Sequence, residues 1–419
     1  MDHDLCVIGA GWAGFNAALS AAKLGQKVCI IEEKEIGGTC LNRGCIPAKA
    51  LLQYSKQALN IIQIQKKKND VVTRLKAGMS YMLKANKVDL IQGKARIAGA
   101  NRVLIGPDNK EVTAKFILIA TGSVPKDLPQ IKIDHKKIIS SDDCLELTNA
   151  PEKLLIIGAG AIGCEFACIF KRLGSEVTIV EIAGEILPGI DIQVSGKLHQ
   201  ALQKAGIAIH TNKNSEEFDL NEYDKCLLSV GRRAVTEGIF DDRPGIKLEK
   251  GSILADRELK TTIPHVFAAG DCIGGYMLAH VASYEGELAS RNMFSKAAKR
   301  DYSVVPSSIF TTPEVAAVGI TEQEAKKFGV AFKVNITHFL SVGMAHILES
   351  TDGFVKVIVE EKTGCILGAS MIGLQATELV NFFSLLMKNK IPISGIKNTI
   401  LAHPSVSEIL SEVARTFDY

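Results

Sequence analysis

In GGTCLNRGCIPAK, residues 37–49, four residues separate Cys40 from Cys45, and the second thiol opens the amphipathic run IPAKALLQYSKQALNII. Unpaired amides at a helix mouth, with Arg43 and Lys49 close by, are expected to lower the pKa of Cys45 and make its sulfur reactive. Three other readings compete: two buried thiols without chemistry, a structural metal pair, and part of an iron–sulfur motif. A plant-type iron–sulfur run would need a third cysteine where Ala48 stands, and no second close pair is present to complete a zinc site. Two thiols this close at a helix mouth suit reversible disulfide chemistry better.

A glycine pattern occurs twice. DLCVIGAGWAGFNAALSAAKLGQKVCIIE (residues 4–32) and KLLIIGAGAIGCEFACIFKRLGSEVTIVE (residues 153–181) both read as strand, glycine loop, helix, strand and acid. A constant offset of 149 lays Gly9, Gly11 and Gly14 over Gly158, Gly160 and Gly163, and Glu32 over Glu181. Glycines there permit a tight turn and close approach to a pyrophosphate, whose charge suits the helix N-terminus. The acid at the end of the second strand can accept hydrogen bonds from ribose hydroxyls. One such loop often serves packing alone; two in register, each with its acid, predict two bound dinucleotides. Ile182 and Ala183 follow Glu181 with no nearby arginine, so the second site is expected to prefer NAD to NADP.

Weaker signals lie downstream. FILIATGS (residues 116–123, with Thr121 and Gly122) and CLLSVGRR (residues 226–233, with Gly231) are strand-like and end in glycine turns. TTIPHVFAAGDCIGGYMLAHVASYEG (residues 261–286) contains Asp271, Ala279 and His280. Alone, Asp271 reads as a turn or helix cap. LAHPSVSEILSEVARTFDY (residues 401–419) holds His403 in extended backbone before Pro404, with Glu408 expected one turn into a helix. A lone His-Pro is a turn. Beside a dithiol, whose oxidation releases protons, the same imidazole gains a role as a base, and Glu408 could fix its tautomer.

The elements that must position these residues fill two or three domains, the expectation for 419 residues. Hydrophobic residues at 47% and charged ones at 23% suit a soluble globular protein, and a net charge of +3 gives no field for nucleic acid or membrane partners. The apolar stretch 154–170 carries three glycines and Glu165, so it reads as buried strand and helix and no membrane span is expected. Met1-Asp2-His3-Asp4 runs straight into a strand, which favours the cytoplasm over a secreted destination. Of ten cysteines, the eight outside the close pair are expected to be buried free thiols. Lys66, Lys67 and Lys68 read as a solvated turn, and Val72, Leu75, Met79 and Leu83 as the core stripe of a helix. Strands alternating with helices predict an α/β fold with parallel sheets.

The cysteine segment resembles the redox motif of the dihydrolipoamide dehydrogenases, a family within the flavin-linked disulfide reductases, and the resemblance runs nearly end to end. It implies two Rossmann-like domains, for FAD and NAD(P), and a C-terminal α+β interface domain. The expected boundaries are 1–145 and 256–302 for the FAD-binding domain, 146–255 for the NAD-binding domain and 303–419 for the dimerisation domain. By the resemblance Cys40 meets the substrate, Cys45 touches the flavin, and Lys49 sits beside the flavin ring, paired with Glu165. Thr39, Thr121, Gly122, Asp271 and Ala279 would also serve FAD, Asp271 through the ribityl chain, and Gly231 would join the nucleotide-binding set. His403 and Glu408 would complete the neighbouring active site of a homodimer. No metal is implied. The implied reaction oxidises dihydrolipoamide, or a lipoyl-bearing protein, with NAD as acceptor, and a 2-oxo acid dehydrogenase complex is the implied assembly. The rivals are a glutathione-type or mercuric reductase and an idle flavoprotein subunit. Mercuric reduction would usually need a C-terminal cysteine pair, which this tail lacks. Three departures stand out: Ala48 for the usual serine, a short connection between Ile209 and Cys226, and SVGMA at 341–345 for a segment usually holding asparagine and arginine. Ala402 also replaces a second histidine common before the first.

Overall fold

A computed structural model describes residues 1–240 and 245–418; residues 241–244 of the expected NAD-binding domain and the last residue of the tail, Tyr419, lie outside them. The chain forms two compact units, one of Met1–Lys132, Ser140–Thr148 and Val230–Arg300, the other of Ile133–Ile139, Asn149–Ser229 and Asp301–Tyr419.

In the first unit, the near-continuous apolar runs of parallel strands are buried on both faces. Strand His3–Ile8 pairs in parallel with Val28–Glu32 on one side and Lys110–Ile119 on the other. Asp89–Gln92 extends the sheet beyond Val28–Glu32, and Val266–Ala268 also pairs in parallel with Lys110–Ile119. Leu5, Val7, Ile30, Leu118 and Phe267 form its core against the helices. Helices Trp12–Lys23 and Ala279–Phe294 cross in backbone contact, because a side chain at Gly286 would meet the Ala13 carbonyl at 2.0 Å.

The lysine run is not a solvated turn. Helix Ile61–Ala85 passes straight through it, opened by a capping box between Asn60 and Gln63. Lys68 is only 1% exposed, and its Nζ donates to the Leu145 carbonyl at 2.8 Å and Glu146 Oε1 at 2.7 Å. Its aliphatic stem lies with Ile64, Met79 and Leu83 on the buried face, so a charge run concealed a core position. The apolar stripe is narrower than its spacing suggested, since Leu75 is 44% exposed.

The second unit repeats the dinucleotide sheet. Its strands run in the order Ala208–His210, Glu176–Val180, Lys153–Ile157, Lys225–Leu228 and Ile138–Ile139, and every pairing is parallel. The short connection consists of two 3-10 turns, Ser215–Glu217 and Leu220–Glu222. The same unit carries an antiparallel sheet ordered Ser307–Ile309, Glu314–Gly319, Ile366–Gly373, Phe354–Glu360 and Phe332–His338. Val355, Val357, Met371, Phe383 and Phe417 pack its core. Among the described residues no helix is long and apolar enough to cross a membrane.

A buried ion cluster joins this antiparallel sheet to the second dinucleotide fold. Lys356, 1% exposed, donates to Asp191 Oδ2 at 2.8 Å and Gln193 Oε1 at 2.7 Å, and its Nζ lies 2.6 Å from Glu322 Oε2. Asp191 is fully enclosed and also caps helix Ile192–Lys204. Lys356→Met is expected to cost about 3–5 kcal/mol, because it strands a buried carboxylate. A lowered urea midpoint, partly restored by adding Asp191→Asn, checks this.

Candidate active site

The two glycine loops are built alike. Gly9 has φ +104°, and a Cβ there would lie 2.4 Å from the Ala120 carbonyl oxygen; one on Gly14 would lie 1.9 Å from the Gly9 oxygen. At Gly158 and Gly163 the corresponding distances are 2.6 Å to the Ser229 oxygen and 2.1 Å to the Gly158 oxygen. Gly11 and Gly160 open helices Trp12–Lys23 and Ala161–Arg172 without side-chain caps, leaving the first amides for an anion. The acids repeat too. Glu32 accepts from the Ala10 N–H at 2.7 Å and the Lys34 N–H at 2.8 Å, and Glu181 from Ala159 at 2.7 Å and Ala183 at 2.9 Å. A carboxylate has about four lone-pair sites, so these backbone bonds leave capacity for ribose hydroxyls. Both cradles fit a dinucleotide.

The cysteine segment is seated on the first loop. A Cβ on Gly38 would come within 2.8 Å of Gly11 Cα, so the two backbones touch. Helix Gly38–Arg43 carries Thr39 and Cys40; Asn42 Nδ2 braces it by donating to the Ile36 and Gly38 carbonyls, each at 2.9 Å. Cys45 is the first residue of helix Cys45–Tyr54, with half-buried Lys49 one turn further on. Cys40 is half-buried and Cys45 exposed. A hydrogen bond shared with Cys45, followed by burial, pushes the Cys40 thiol well above its ordinary range, while the Trp12 indole and Lys49 pull the other way. Arg43 faces Glu35 at 3.4 Å and Asp142 at 3.6 Å. Seven of the other cysteines are buried; Cys365 is half-exposed, so the expectation of eight buried singles does not extend to it.

The two downstream glycine turns meet. Strands Ser123–Pro125 and Arg232–Ala234 pair antiparallel, Thr121 Oγ1 donates to the Val235 carbonyl at 2.7 Å, and Gly122 and Gly231 take φ +73° and +109°. Asp271 opens a 3-10 turn and accepts from Ser123 Oγ; Arg232 donates to the same hydroxyl at 2.8 Å and to the Ser123 carbonyl at 2.8 Å. Glu285, 3% exposed, accepts from the Gly270 N–H at 2.6 Å and so fixes the turn before Asp271. Ala279 and His280 begin helix Ala279–Phe294. Ser123, Arg232 and Glu285 escaped sequence reasoning although all three lie in segments it singled out.

In the second unit Glu165 is buried and accepts from the Phe310 N–H at 2.9 Å. His403 and Glu408 form a dyad, Nδ1 to Oε1 at 2.8 Å, with the Ser405 N–H donating to Glu408 Oε2 at 2.9 Å. The His403-Pro404 bond is cis, and the helix starts at Glu408 itself, not a turn before it. The Ser405 N–H, then His403, hold the Glu408 carboxyl below the usual carboxylate range.

Two dinucleotide folds and a dithiol seated on the first of them define an oxidoreductase that moves reducing equivalents between nucleotide and sulfur. Residues 3–286 match the family model described as pyridine nucleotide-disulphide oxidoreductase, and residues 305–414 match that family's dimerisation domain. The chain is 36% identical to dihydrolipoyl dehydrogenase of Chlamydia muridarum over 98% of its length and 96% of the relative's. It is likewise 35% identical to a dihydrolipoyl dehydrogenase of Bacillus subtilis, over 99% and 96%. Among solved structures, it is similar to the HOCl-induced flavoprotein disulfide reductase RclA of Escherichia coli, with TM-score 0.92 and 29% identity over 99% of this chain and 100% of that one. LpdA of Mycobacterium tuberculosis gives TM-score 0.92 at 25% identity over 98% and 99%. The chain belongs to the pyridine nucleotide-disulphide oxidoreductase family. It is accordingly a flavoprotein oxidoreductase that uses a pyridine nucleotide and carries a dimerisation domain, with the α/β architecture expected from its sequence.

Proposed function

We propose that the chain is an NAD-linked dihydrolipoamide dehydrogenase, acting as a homodimer in the cytoplasm on dihydrolipoamide or a lipoyl-bearing protein, and a candidate component of a 2-oxo acid dehydrogenase complex. The observation that carries this reading is the Cys40–Cys45 thiol pair at a helix mouth, in backbone contact with the first nucleotide loop. FAD is assigned to the first loop, with Gly9, Gly11, Gly14, Glu32, Thr39, Lys49, Thr121, Gly122, Asp271 and Ala279. NAD is assigned to the second, with Gly158, Gly160, Gly163, Glu181 and Gly231; Glu165 is assigned to the flavin side with Lys49. The domain boundaries expected from the sequence stand as part of this reading.

In the working cycle Cys40 and Cys45 begin as a disulfide. One substrate thiolate attacks Cys40 Sγ, a mixed disulfide forms, and Cys45 leaves as thiolate. The second substrate sulfur then displaces Cys40, and the substrate departs as a cyclic disulfide, oxidised by two electrons. His403 of the partner subunit, held by the partner's Glu408, takes the proton that frees the first attacking thiolate, and the proton of the second thiol goes to the departing Cys40 sulfur. FAD, held by the first-loop residues named above, would supply the two-electron acceptor chemistry that links the dithiol to NAD. This chain's residues position the sulfurs, hold the nucleotides and move the protons.

Anaerobic titration with dihydrolipoamide is expected to raise a long-wavelength thiolate-to-flavin charge-transfer band, and adding NAD to discharge it as NADH forms. NADP should substitute poorly, because Glu181 repels a 2′-phosphate. Bound flavin without the band would reject the dithiol mechanism. A band with oxidised glutathione as the better substrate would move the assignment to another reductase of the family.

A further inference from the structure

The chain has one tryptophan, and it stands at the redox pair. Trp12 is the first residue of helix Trp12–Lys23, next to Gly11, whose Cα is the atom that the cysteine segment touches through Gly38. Asn16 Nδ2 donates to the Trp12 carbonyl at 2.8 Å, and Asn16 is tied in turn to Ser283 at 3.2 Å. Phe15 meets the indole edge-on, with ring centroids 6.4 Å apart at 87°. Asn16 thus holds the Trp12 backbone and Phe15 the ring. Its Nε1 is enclosed and has no partner within hydrogen-bonding geometry. An indole N–H can only donate, so burying it without an acceptor is costly unless an acceptor arises in another state of the site.

We propose that this acceptor is the Cys40 sulfur as a thiolate, and that Trp12 stabilises that thiolate whenever Cys40 attacks or leaves. A thiol is a poor acceptor, whereas a thiolate is a charged one and takes a hydrogen bond about twice as strong as a neutral pair. The indole N–H beside Cys40 already works against the rise of its thiol pKa. The other groups facing Cys40 are Cys45, whose thiol shares its proton, and Lys49, whose charge acts in the same direction as Trp12. Arg43 on the same short helix is turned to Glu35 and Asp142, and Lys76 of the packed long helix goes to Glu35. The tryptophan thus supplies, from the nucleotide helix, an enclosed donor without a partner beside the sulfur assigned to meet the substrate. The inference rests on the dithiol reading above, but its tests use neither a lipoyl compound nor NAD.

In holoenzyme carrying Cys45→Ser, iodoacetamide labelling of Cys40, followed by peptide mass spectrometry against pH, reads its ionisation without interference from the pair. Adding Trp12→Phe, which keeps the ring contact with Phe15, is expected to move the labelling midpoint to higher pH. The rate at neutral pH should fall about tenfold. Superimposable profiles would overturn the proposal. A second measurement leaves Trp12 in place: fluorinated tryptophan gives one fluorine NMR resonance in this chain. In the Cys45→Ser holoenzyme that resonance should shift with the Cys40 labelling midpoint, and it should stay flat when Cys40→Ser is added. A resonance indifferent to both pH and Cys40 would equally overturn it. Either result stands apart from the dihydrolipoamide titration, so loss of the substrate assignment and loss of this one are separately visible.

Discussion

Cys45→Ser is expected to lower dihydrolipoamide oxidation by at least about a thousandfold while leaving flavin bound, because a serine hydroxyl cannot enter a disulfide. Cys45 is exposed at the first position of its helix, so the change leaves no cavity and adds no buried polar group. The fold should therefore survive, and the loss should fall on turnover. Cys40→Ser should be equally inactive for a different reason, since it removes the sulfur that receives the substrate. The two variants separate in labelling: iodoacetamide should modify Cys40 in the first, and that labelling should vanish in the second. Steady-state NADH formation and flavin absorbance together check the prediction. Near-normal turnover by Cys45→Ser would show that the pair is not the redox centre, and would support the idle-subunit reading weighed against it.

What could be read in the sequence was whatever is local or repeated. The glycine loops declare themselves because close backbone approach excludes every other residue at Gly9, Gly14, Gly158 and Gly163. The repeat carried information down to the hydrogen bonds: Ala10 to Glu32 and Ala159 to Glu181 are the same bond in two places. His403 and Glu408, five residues apart, were paired in sequence and pair in space. The network of Asp271, Ser123 and Arg232 spans 148 and 109 residues, and no periodicity announces such a contact. Glu285 looked like one polar residue among many, although its carboxylate closes the turn that aims Asp271.

Two misreadings share a cause. Lys68 reads as solvated because its neighbours are lysines, and Lys356 has no distinguishing signal in the strand Phe354–Glu360; each buries its stem and meets a carboxylate. Charge type alone does not reveal whether a partner arrives from a distant segment. Trp12 was hidden differently. It occupies a variable position inside the glycine fingerprint, where attention falls on the glycines that frame it.

His403→Gln is expected to reduce turnover by about a hundredfold to ten-thousandfold, the range for loss of a positioned general base. Glutamine can keep a hydrogen bond to Glu408 but cannot carry the substrate proton at neutral pH. Glu408→Gln should cost less, since the amide oxygen of glutamine can still accept from His403 Nδ1, and what is lost is the negative charge that orients its tautomer. Because Glu408 is held below the usual carboxylate range, it stays ionised throughout the range in which an imidazole titrates. The stronger test asks which copy the histidine serves. His403 is exposed, its side chain 77% accessible in a single chain, as a residue reaching toward another subunit would be. Mixing the inactive His403→Gln and Cys45→Ser proteins, with subunit exchange, should restore activity. In the hybrid one site combines an intact cysteine pair with an intact histidine, and the other lacks both. If each site were completed within its own chain, every site in the mixture would carry one defect and no activity would return.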